Sequence, residues 1–216
     1  MKNTNFLIIA LIALTTSLSA QSGFGVKAIY SSDYTSPVTQ EYVSIQPVQI
    51  AQIAFTGAEA TRGLGLSFYT QNSKLFLMGD ALYTKTGRSF ELLSLDSRKT
   101  LLDPAVLLST KESNIRLAAN AGFLLNNFKF GVGPELSLRL DQEENLTSLS
   151  NVSSRATNIQ GGFNFLVGYK LTNNIHIDLK HTYIFQDAGH DFTFDNIPLE
   201  LGRNQKSLEL SVGLYF

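Results

Sequence analysis

The chain of 216 residues has no cysteine. This absence excludes disulfides, thiolate metal sites and a lipidated amino-terminal cysteine, so the chain is not a lipoprotein. An excess of one charge is also lacking, because 17 Lys and Arg stand against 18 Asp and Glu and the formal net charge is −1. Such a balance provides no basic stripe for nucleic acid, which is therefore not an expected partner.

A long apolar run is missing as well, and a transmembrane helix would need about 20 such residues. Residues 6–14 form an apolar run of nine, preceded by Lys2 and followed by TTSLSAQ. This arrangement predicts a secretory signal peptide over residues 1–20 and Sec-type export. The mature domain is then 21–216, a length that suits one domain.

What the chain does have is alternation, and the cleanest example is its end, QKSLELSVGLYF. Apolar residues occupy one face of this strand, while Ser, Glu, Gly and Tyr occupy the other. A secreted chain that ends in such a strand on a terminal Phe is typical of a bacterial outer-membrane β-barrel. In that class the last strand is read by the insertion machinery, so the predicted insertion signal is Leu208, Leu210, Val212, Leu214 and Phe216.

The same alternation recurs in seven earlier segments, which makes eight strands with the last one. These segments are 24–30, 64–69, 75–83, 115–123, 128–140, 162–169 and 175–186. Short connections rich in Asn alternate with long ones, at 32–61, 88–113, 141–155 and 187–204. The sequence predicts an all-β fold, namely an eight-stranded antiparallel transmembrane up-and-down β-barrel with three short periplasmic turns and four long extracellular loops.

A soluble lipocalin-like carrier would also have eight alternating strands, but its apolar set would face a ligand inside. Three features favour the membrane barrel. The chain ends on Phe216, the polar face carries charges and glycines as a narrow packed interior needs, and aromatic residues lie near strand ends.

Long segments of the chain resemble the PorT-like outer-membrane β-barrel family, which is typical of Bacteroidetes. The resemblance is carried by KLFLMGDALYTKTG (74–87), by IRLAANAGFLLNNFKFGVGPELSLRL (115–140), by GGFNFLVGYKLTNNIHIDLKHTYIF (161–185) and by the closing NQKSLELSVGLYF. It implies an outer-membrane barrel and allows a role as an accessory component of a protein-secretion machine. The apolar segment LLDPAVLL (101–108) has no place in the strand register and is expected to form an extra hairpin or a partner surface.

Charges of both signs fall on the polar face of the predicted strands. An eight-stranded interior is only wide enough for side chains, and buried charges persist only when they are paired. The set is therefore interpreted first as a salt-bridged plug, with a narrow ion or solute path as the alternative. At the periplasmic start of its strand, Lys129 is expected to reach solvent. The predicted lumen charge network is Lys27, Asp80, Arg116, Glu135, Arg139, Asp178, Lys180 and Glu209.

No catalytic residue, metal site or cofactor is predicted. His190 in the loop sequence DAGHD could serve a lipid A-modifying enzyme, but nothing places a Ser of loop 141–155 beside it. His176 is expected to belong to the interior network beside Asp178, and Lys180 on the same face argues against a cation site. His181 takes an outward position where Tyr would fit better, so either a bulge turns its side chain or it lies near the outer head groups.

The function that fits these observations is structural or interaction-based, for a monomer in the cell outer membrane that presents its loops to the outside. The runner-up is the accessory role in secretion. The expected partners are outer-membrane lipid and lipopolysaccharide, the barrel-insertion machinery, and other envelope proteins that bind loops 32–61 and 88–113.

Overall fold

A computed structural model gives the structure of most of the chain. It describes residues 22–35, 41–46, 49–96, 106–145, 152–156, 159–185, 190–194, 197–201 and 205–216. The predicted signal peptide at 1–20 lies outside the described residues.

Thirteen strands account for nearly all of the described part of the chain. They are β1 (Ser22–Thr35), β2 (Glu41–Gln46), β3 (Gln49–Ala58), β4 (Thr61–Gln71), β5 (Leu75–Asp96), β6 (Val106–Leu125), β7 (Phe128–Asn145), β8 (Val152–Ala156), β9 (Ile159–Lys170), β10 (Ile175–Ile184), β11 (His190–Phe194), β12 (Ile197–Leu201) and β13 (Gln205–Tyr215).

Eight of these strands close into a barrel. Around the wall they follow the order β1, β4, β5, β6, β7, β9, β10 and β13, and β13 pairs with β1 to complete the circle. Every pairing in the circle is antiparallel and joins strands that are neighbours in this order. The predicted eight-stranded up-and-down barrel is confirmed.

The three short turns form where the Asn-rich segments predicted them. Between β6 and β7, Asn126 adopts a left-handed φ of 56°, which Asn tolerates better than most residues. Between β4 and β5, the Asn72 side chain accepts hydrogen bonds from the backbone N–H groups of Lys74 and Leu75. In the third turn the Thr172 hydroxyl accepts two such bonds. In these two turns, side chains thus accept hydrogen bonds from backbone N–H groups at the point where the strand pairing ends.

The two faces of the wall have opposite chemistry. Apolar side chains such as Leu64, Leu66 and Leu210 are half or more exposed on the outside, whereas Lys27, Glu209 and eight other charged residues of the described barrel strands are buried inside. Only closed barrels and helices satisfy every backbone polar group within a bilayer, and an apolar exterior around a polar interior is the pattern of an outer-membrane barrel. The carrier alternative, with the apolar set inside, is wrong.

Aromatic side chains pack together on the outer face near the end with the short turns, which is periplasmic in this class of barrel. Such rings are favoured at the boundary between hydrocarbon and water. The pairs, with the distances between ring centroids, are Phe24 and Phe68 at 5.1 Å, Phe123 and Phe130 at 5.3 Å, and Phe128 and Tyr169 at 4.9 Å.

The segments predicted as long loops contain much regular strand, which corrects the predicted boundaries. Pairing of β5 with β6 continues past the apolar belt, through Arg88 with Thr110, as far as Leu92 with Val106. The prediction ended each strand where outward apolar residues stop, but backbone hydrogen bonding continues in water. Residues 101–105 of the apolar segment lie outside the described residues, while 106–108 belong to β6.

Strands β3 and β4 follow each other along β5 as one long strand, which Glu59 and Ala60 interrupt. Both strands pair with β5 in the same direction. At the interruption the Glu59 N–H donates to the carbonyl of Gly87 at 2.8 Å. Below the interruption β4 pairs with β1, whereas above it β3 pairs with β2. We call β2, β3 and the parts of β5, β6 and β7 at 88–96, 106–110 and 141–145 the upper sheet.

A separate sheet of three short strands accompanies the barrel. Its order is β12, β11, β8, and both pairings are antiparallel. Strand β12 lies beside β2 and β3, so this small sheet neighbours the upper sheet at the extracellular end. The long connections 141–155 and 187–204 therefore contribute strands as well as loops.

Candidate functional site: the charged barrel interior

The barrel interior brings the eight predicted network residues together. They divide by height into a lower cluster near the short turns, a central cluster, and an upper cluster at the mouth that holds Arg139. Each cluster combines side chains from several strands, so closure of the barrel is what assembles them.

Two lysines and two aspartates form the lower cluster. Lys27 Nζ lies 2.9 Å from Asp80 Oδ2 and 3.4 Å from Asp178 Oδ2, and Lys129 Nζ lies 2.6 Å from Asp178 Oδ1. Lys129 is fully buried, so the prediction that it reaches solvent is wrong. Gly168 makes room for this pair, because a Cβ there would collide with the Asp178 carboxylate and lie 2.6 Å from Lys129 Cε.

Hydrogen bonds extend the lower cluster to neutral groups. The Ser67 hydroxyl donates to Asp80 Oδ1 at 2.6 Å and lies 2.9 Å from the hydroxyl of Tyr215. Aromatic and aliphatic side chains close the space beneath, and this small apolar core consists of Tyr69, Phe76, Met78, Leu166 and Tyr215. The charges are thereby separated from the water at the short-turn end.

The central cluster pairs two cations with two glutamates. Arg116 contacts Glu135 through two of its nitrogens and lies 2.9 Å from Glu209 through Nη1. Lys180 Nζ is 3.1 Å from Glu135 Oε2 and 3.2 Å from Glu209 Oε1. Thr182 donates a further hydrogen bond to Glu135 at 3.3 Å. Each ion contacts two ions of opposite charge, which is the geometry that buried charges require.

The upper cluster includes two residues that the sequence analysis missed. Arg139 Nη2 lies 3.3 Å from Glu112 Oε2, and Arg88 Nη1 lies 3.8 Å from Glu112 Oε1. The predicted network omits Arg88 and Glu112 because the sequence analysis assigns 88–113 to a loop. The signal that could have found them is a polar alternation, since Thr84, Arg88 and Glu112 all fall on the inward face.

Side chains fill the lower and central interior. Between the central and upper clusters lies a cavity of about 50 Å³, bordered by Arg116 and Glu135 on one side and by Arg88 and Glu112 on the other. That volume suits a few waters. Large side chains occupy this part of the interior and expose almost no surface, so the interior is a solid plug. Among the described residues the largest of them are Lys27, Lys129, Lys180, Met78, Leu82, Leu166, His176 and Glu209.

The two histidines whose side chains the structure describes lie in different environments. His176 is buried in the lower cluster, with Nδ1 3.4 Å from Lys129 Nζ. His181 faces outward, half-buried, with Nδ1 3.1 Å from the carbonyl oxygen of Ser207. His190 begins β11, and its side chain is outside the described residues. Within the described ranges no group of three His, Cys, Asp or Glu residues could hold a metal ion.

The closing strand carries the predicted insertion signal. Its backbone pairs with β1 on one side and β10 on the other, and the N–H of Phe216 donates to the Phe24 carbonyl at 2.8 Å. The five signal residues all face outward and are exposed, namely Leu208, Leu210, Val212, Leu214 and Phe216. They form the outer surface of the seam that closes the barrel.

Comparison with known proteins adds three solved barrels of low similarity. The attachment invasion locus protein Ail of Yersinia pestis, solved with a heparin analogue, is 12% identical and has a TM-score of 0.41 over 91% of this chain and 99% of its own. The NanC porin is 9% identical, with a TM-score of 0.33 over 88% of this chain and 100% of its own. The translocator domain of NalP from Neisseria meningitidis is 13% identical, with a TM-score of 0.35 over 99% of this chain and 96% of its own.

No model of a known protein family matches the chain, and no curated protein matches it either. The fold assignment therefore depends on this chain's own strand pairing and on its two opposite faces. The resemblance to the PorT-like family stays a prediction. In the described part of the chain, no helix is long and apolar enough to cross a membrane.

Proposed function

We propose that the protein is a monomeric outer-membrane barrel with an interaction role, in which the upper sheet binds another envelope protein. The observation that carries this proposal is the difference in strand length. A barrel strand needs about 9–11 residues to cross the bilayer. Strands β10 and β13 have 10 and 11, whereas β5, β6 and β7 have 22, 20 and 18.

The part of β7 that exceeds the length needed to cross the bilayer carries an open edge. Pairing of β7 with β6 continues to Asn145, whereas its pairing with β9 ends at Leu138. Among the described residues, no strand therefore pairs with β7 beyond Leu138 on this side, whereas β6 pairs with it as far as Asn145 on the other side. An unpaired edge is a template for an added strand, and proteins use this mode to bind extended peptides.

A plugged interior supports a role without transport or catalysis. The clusters occupy the space that a solute path would need, and no described side chains assemble as a nucleophile with an oriented base. The barrel then acts as an anchor that holds the upper sheet outside the membrane. Its insertion requires the barrel-insertion machinery, for which β13 supplies the signal.

The test is removal of the part of the upper sheet that β5 and β6 contribute, with which β3 pairs, while the barrel is kept. Arg88 and Thr110 lie directly opposite each other, so residues 89–109 can be replaced by an Asn-Gly hairpin turn. Tyr183 and Lys206 are opposite on the other side of the barrel, so replacing 184–205 in the same way gives a matched control. Both variants should show the heat-dependent gel mobility of a folded barrel.

Chemical cross-linking on whole cells of the native host, followed by mass spectrometry, then compares the variants. We expect an envelope protein that is captured by the natural chain and by the control but is lost with the 89–109 replacement. A capture pattern that is equal for all three chains would refute the role of the part of the upper sheet in which β3 pairs with β5 and β5 with β6.

The second candidate is the accessory role in secretion, which the PorT-like resemblance of 74–87, 115–140 and 161–185 supports. Deletion of the gene would then reduce the secreted proteins in the culture medium. Under the binding role alone, the secreted proteins are unchanged. Altered acylation of lipid A in the same strain would instead indicate the enzyme alternative.

A further inference from the structure

A groove on the outside of the barrel lies at the upper border of the apolar belt. It has a volume of about 1000 Å³ and crosses the outer faces of β1, β4, β5, β6 and β7. Its lower part is apolar, with Tyr30, Leu64 and Tyr83 exposed by 54%, 68% and 45%. Two residues further up the same strands stand Arg62 and Lys85, both exposed.

The two cations are placed directly against each other. Arg62 and Lys85 are opposite residues of the β4–β5 ladder and lie on the same face, so their Cβ atoms are about 4.5–5.5 Å apart. Like charges in this position destabilise a sheet. Within the described part of the chain neither residue forms an ion pair, and Lys85 Nζ lies 6.0 Å from the centre of the Tyr83 ring.

Carboxylates in the groove lie to the side of this pair. Glu59 covers Gly87, while Asp141 and Glu143 are exposed on β7. Glu143 is opposite Lys111 in the β6–β7 ladder, so the charge of Lys111 has a nearby counterpart. Among the described residues, no acidic side chain lies within ion-pair distance of Arg62 or Lys85. The pair is therefore a focus of positive charge immediately above hydrocarbon-facing residues.

A ligand that fits this surface has an anionic head and apolar chains. Basic pockets at a membrane surface bind lipid head groups, and the Arg guanidinium matches phosphate oxygens in a bidentate way. A free phosphate would use the cations but would leave the apolar floor uncovered. The extracellular end of the belt is the level at which a phosphorylated lipid of the outer leaflet has its head group.

We propose that Arg62 and Lys85 bind a phosphate of a lipid A-type glycolipid in the outer leaflet, with its acyl chains against Tyr30, Leu64 and Tyr83. This inference does not depend on the proposed function, because Arg62 and Lys85 lie outside the upper sheet and the ligand is a lipid rather than a protein. The bound phosphate removes the repulsion between the two cations.

The test uses the purified full-length barrel in nanodiscs of phosphatidylcholine with added lipid A, and native mass spectrometry measures the bound lipid. Each cation near a membrane surface contributes about fivefold in affinity, so Arg62→Gln with Lys85→Gln should weaken binding roughly twentyfold or more. Lys206 provides the matched control, since its Nζ lies 4.9 Å from the ring centre of Tyr183 and no cation stands opposite it. Lys206→Gln should leave binding unchanged.

Chemically dephosphorylated lipid A and inorganic phosphate distinguish the possible sources of binding. Dephosphorylated lipid that binds as well as lipid A would overturn the proposal, because the apolar floor alone would then be responsible. Inorganic phosphate that displaces lipid A at equal concentration would assign the site to the free ion instead. A double variant that binds lipid A as tightly as the natural chain would also overturn the proposal.

Stability gives a second readout that needs only the single variants. Without lipid A, Lys85→Gln should unfold at a slightly higher denaturant concentration than the natural chain, because the repulsion is relieved. Adding lipid A should then stabilise the natural chain, by mass action, much more than the variant. An equal shift in both chains would contradict binding at this pair.

Discussion

Neighbouring residues on a single strand show how different the two faces of the barrel are. Leu66 is 66% exposed on the outer face, whereas Ser67 is 1% exposed and bonded to Asp80 inside. In a soluble protein the leucine would be inside and the ion outside. Each face therefore has its own chemistry, since hydrocarbon requires apolar groups and a packed interior requires that every charge has a counter-ion.

The inner face should be the more sensitive to a single substitution at its centre. Lys180→Met removes the cation between Glu135 and Glu209 and leaves one buried negative charge in excess. Breaking a buried ion pair costs about 3–5 kcal/mol. We expect a loss of this size in the free energy of unfolding, measured by denaturant titration in lipid vesicles with circular dichroism.

Adding Glu209→Gln to that variant restores the charge balance, so the double variant should be more stable than the sum of the two single losses implies. Strict additivity would mean that the central cluster does not act as a unit.

The outer face should accept a charged residue at little cost only at the borders of the apolar belt. Leu66→Arg places a cation in the apolar belt, where it costs about 2–4 kcal/mol near the midplane. Leu140, 56% exposed at the irregular step between β6 and β7 above the belt, is the matched position. Leu140→Arg should cost at most about 1 kcal/mol. Equal losses in the two variants, measured in the same titration, would disprove the assigned border of the belt.

A neutral group on the inner face should matter less than either charge. Ser67→Ala removes the hydrogen bonds to Asp80 and Tyr215 but leaves the ion pair of Lys27 with Asp80 in place. We expect a loss of about 1 kcal/mol. A loss as large as that of Lys180→Met would show that the lower cluster depends on its hydroxyl groups rather than on its charges.

The smallest effect on stability should come from the end of the chain. Phe216 is 76% exposed, so deleting it should hardly change unfolding in vesicles. As the predicted insertion signal, it should nevertheless slow assembly in cells, which pulse-chase labelling with heat-dependent gel mobility measures. Normal assembly without Phe216 would count against the signal.

The number of strands could be predicted from the sequence because the hydrocarbon of the bilayer requires an apolar residue at every second position of each membrane-crossing strand. The turns could be predicted because the short segments between these strands are rich in Asn. At the mouth the prediction found Arg139 but missed Arg88 and Glu112, because Lys85, Gly87 and Lys111 are not apolar on the outer face and only the polar alternation of the inner face marks the strands there. Burial of Lys129 depends on Gly168, its neighbour across the ladder, and thus on a register that one sequence does not give. Which lysine meets which aspartate also depends on contacts across the interior.

The interruption at Glu59 and Ala60 has a consequence for how this molecule can change. Below it, every strand is held on both sides, so an insertion would shift the register and turn side chains to the wrong face. Above it, β3 belongs to the upper sheet, which lies outside the membrane, so the thickness of the bilayer does not limit the length of its strands. Sequence can therefore be added above the dipeptide, where it extends the upper sheet, while the barrel below keeps its register.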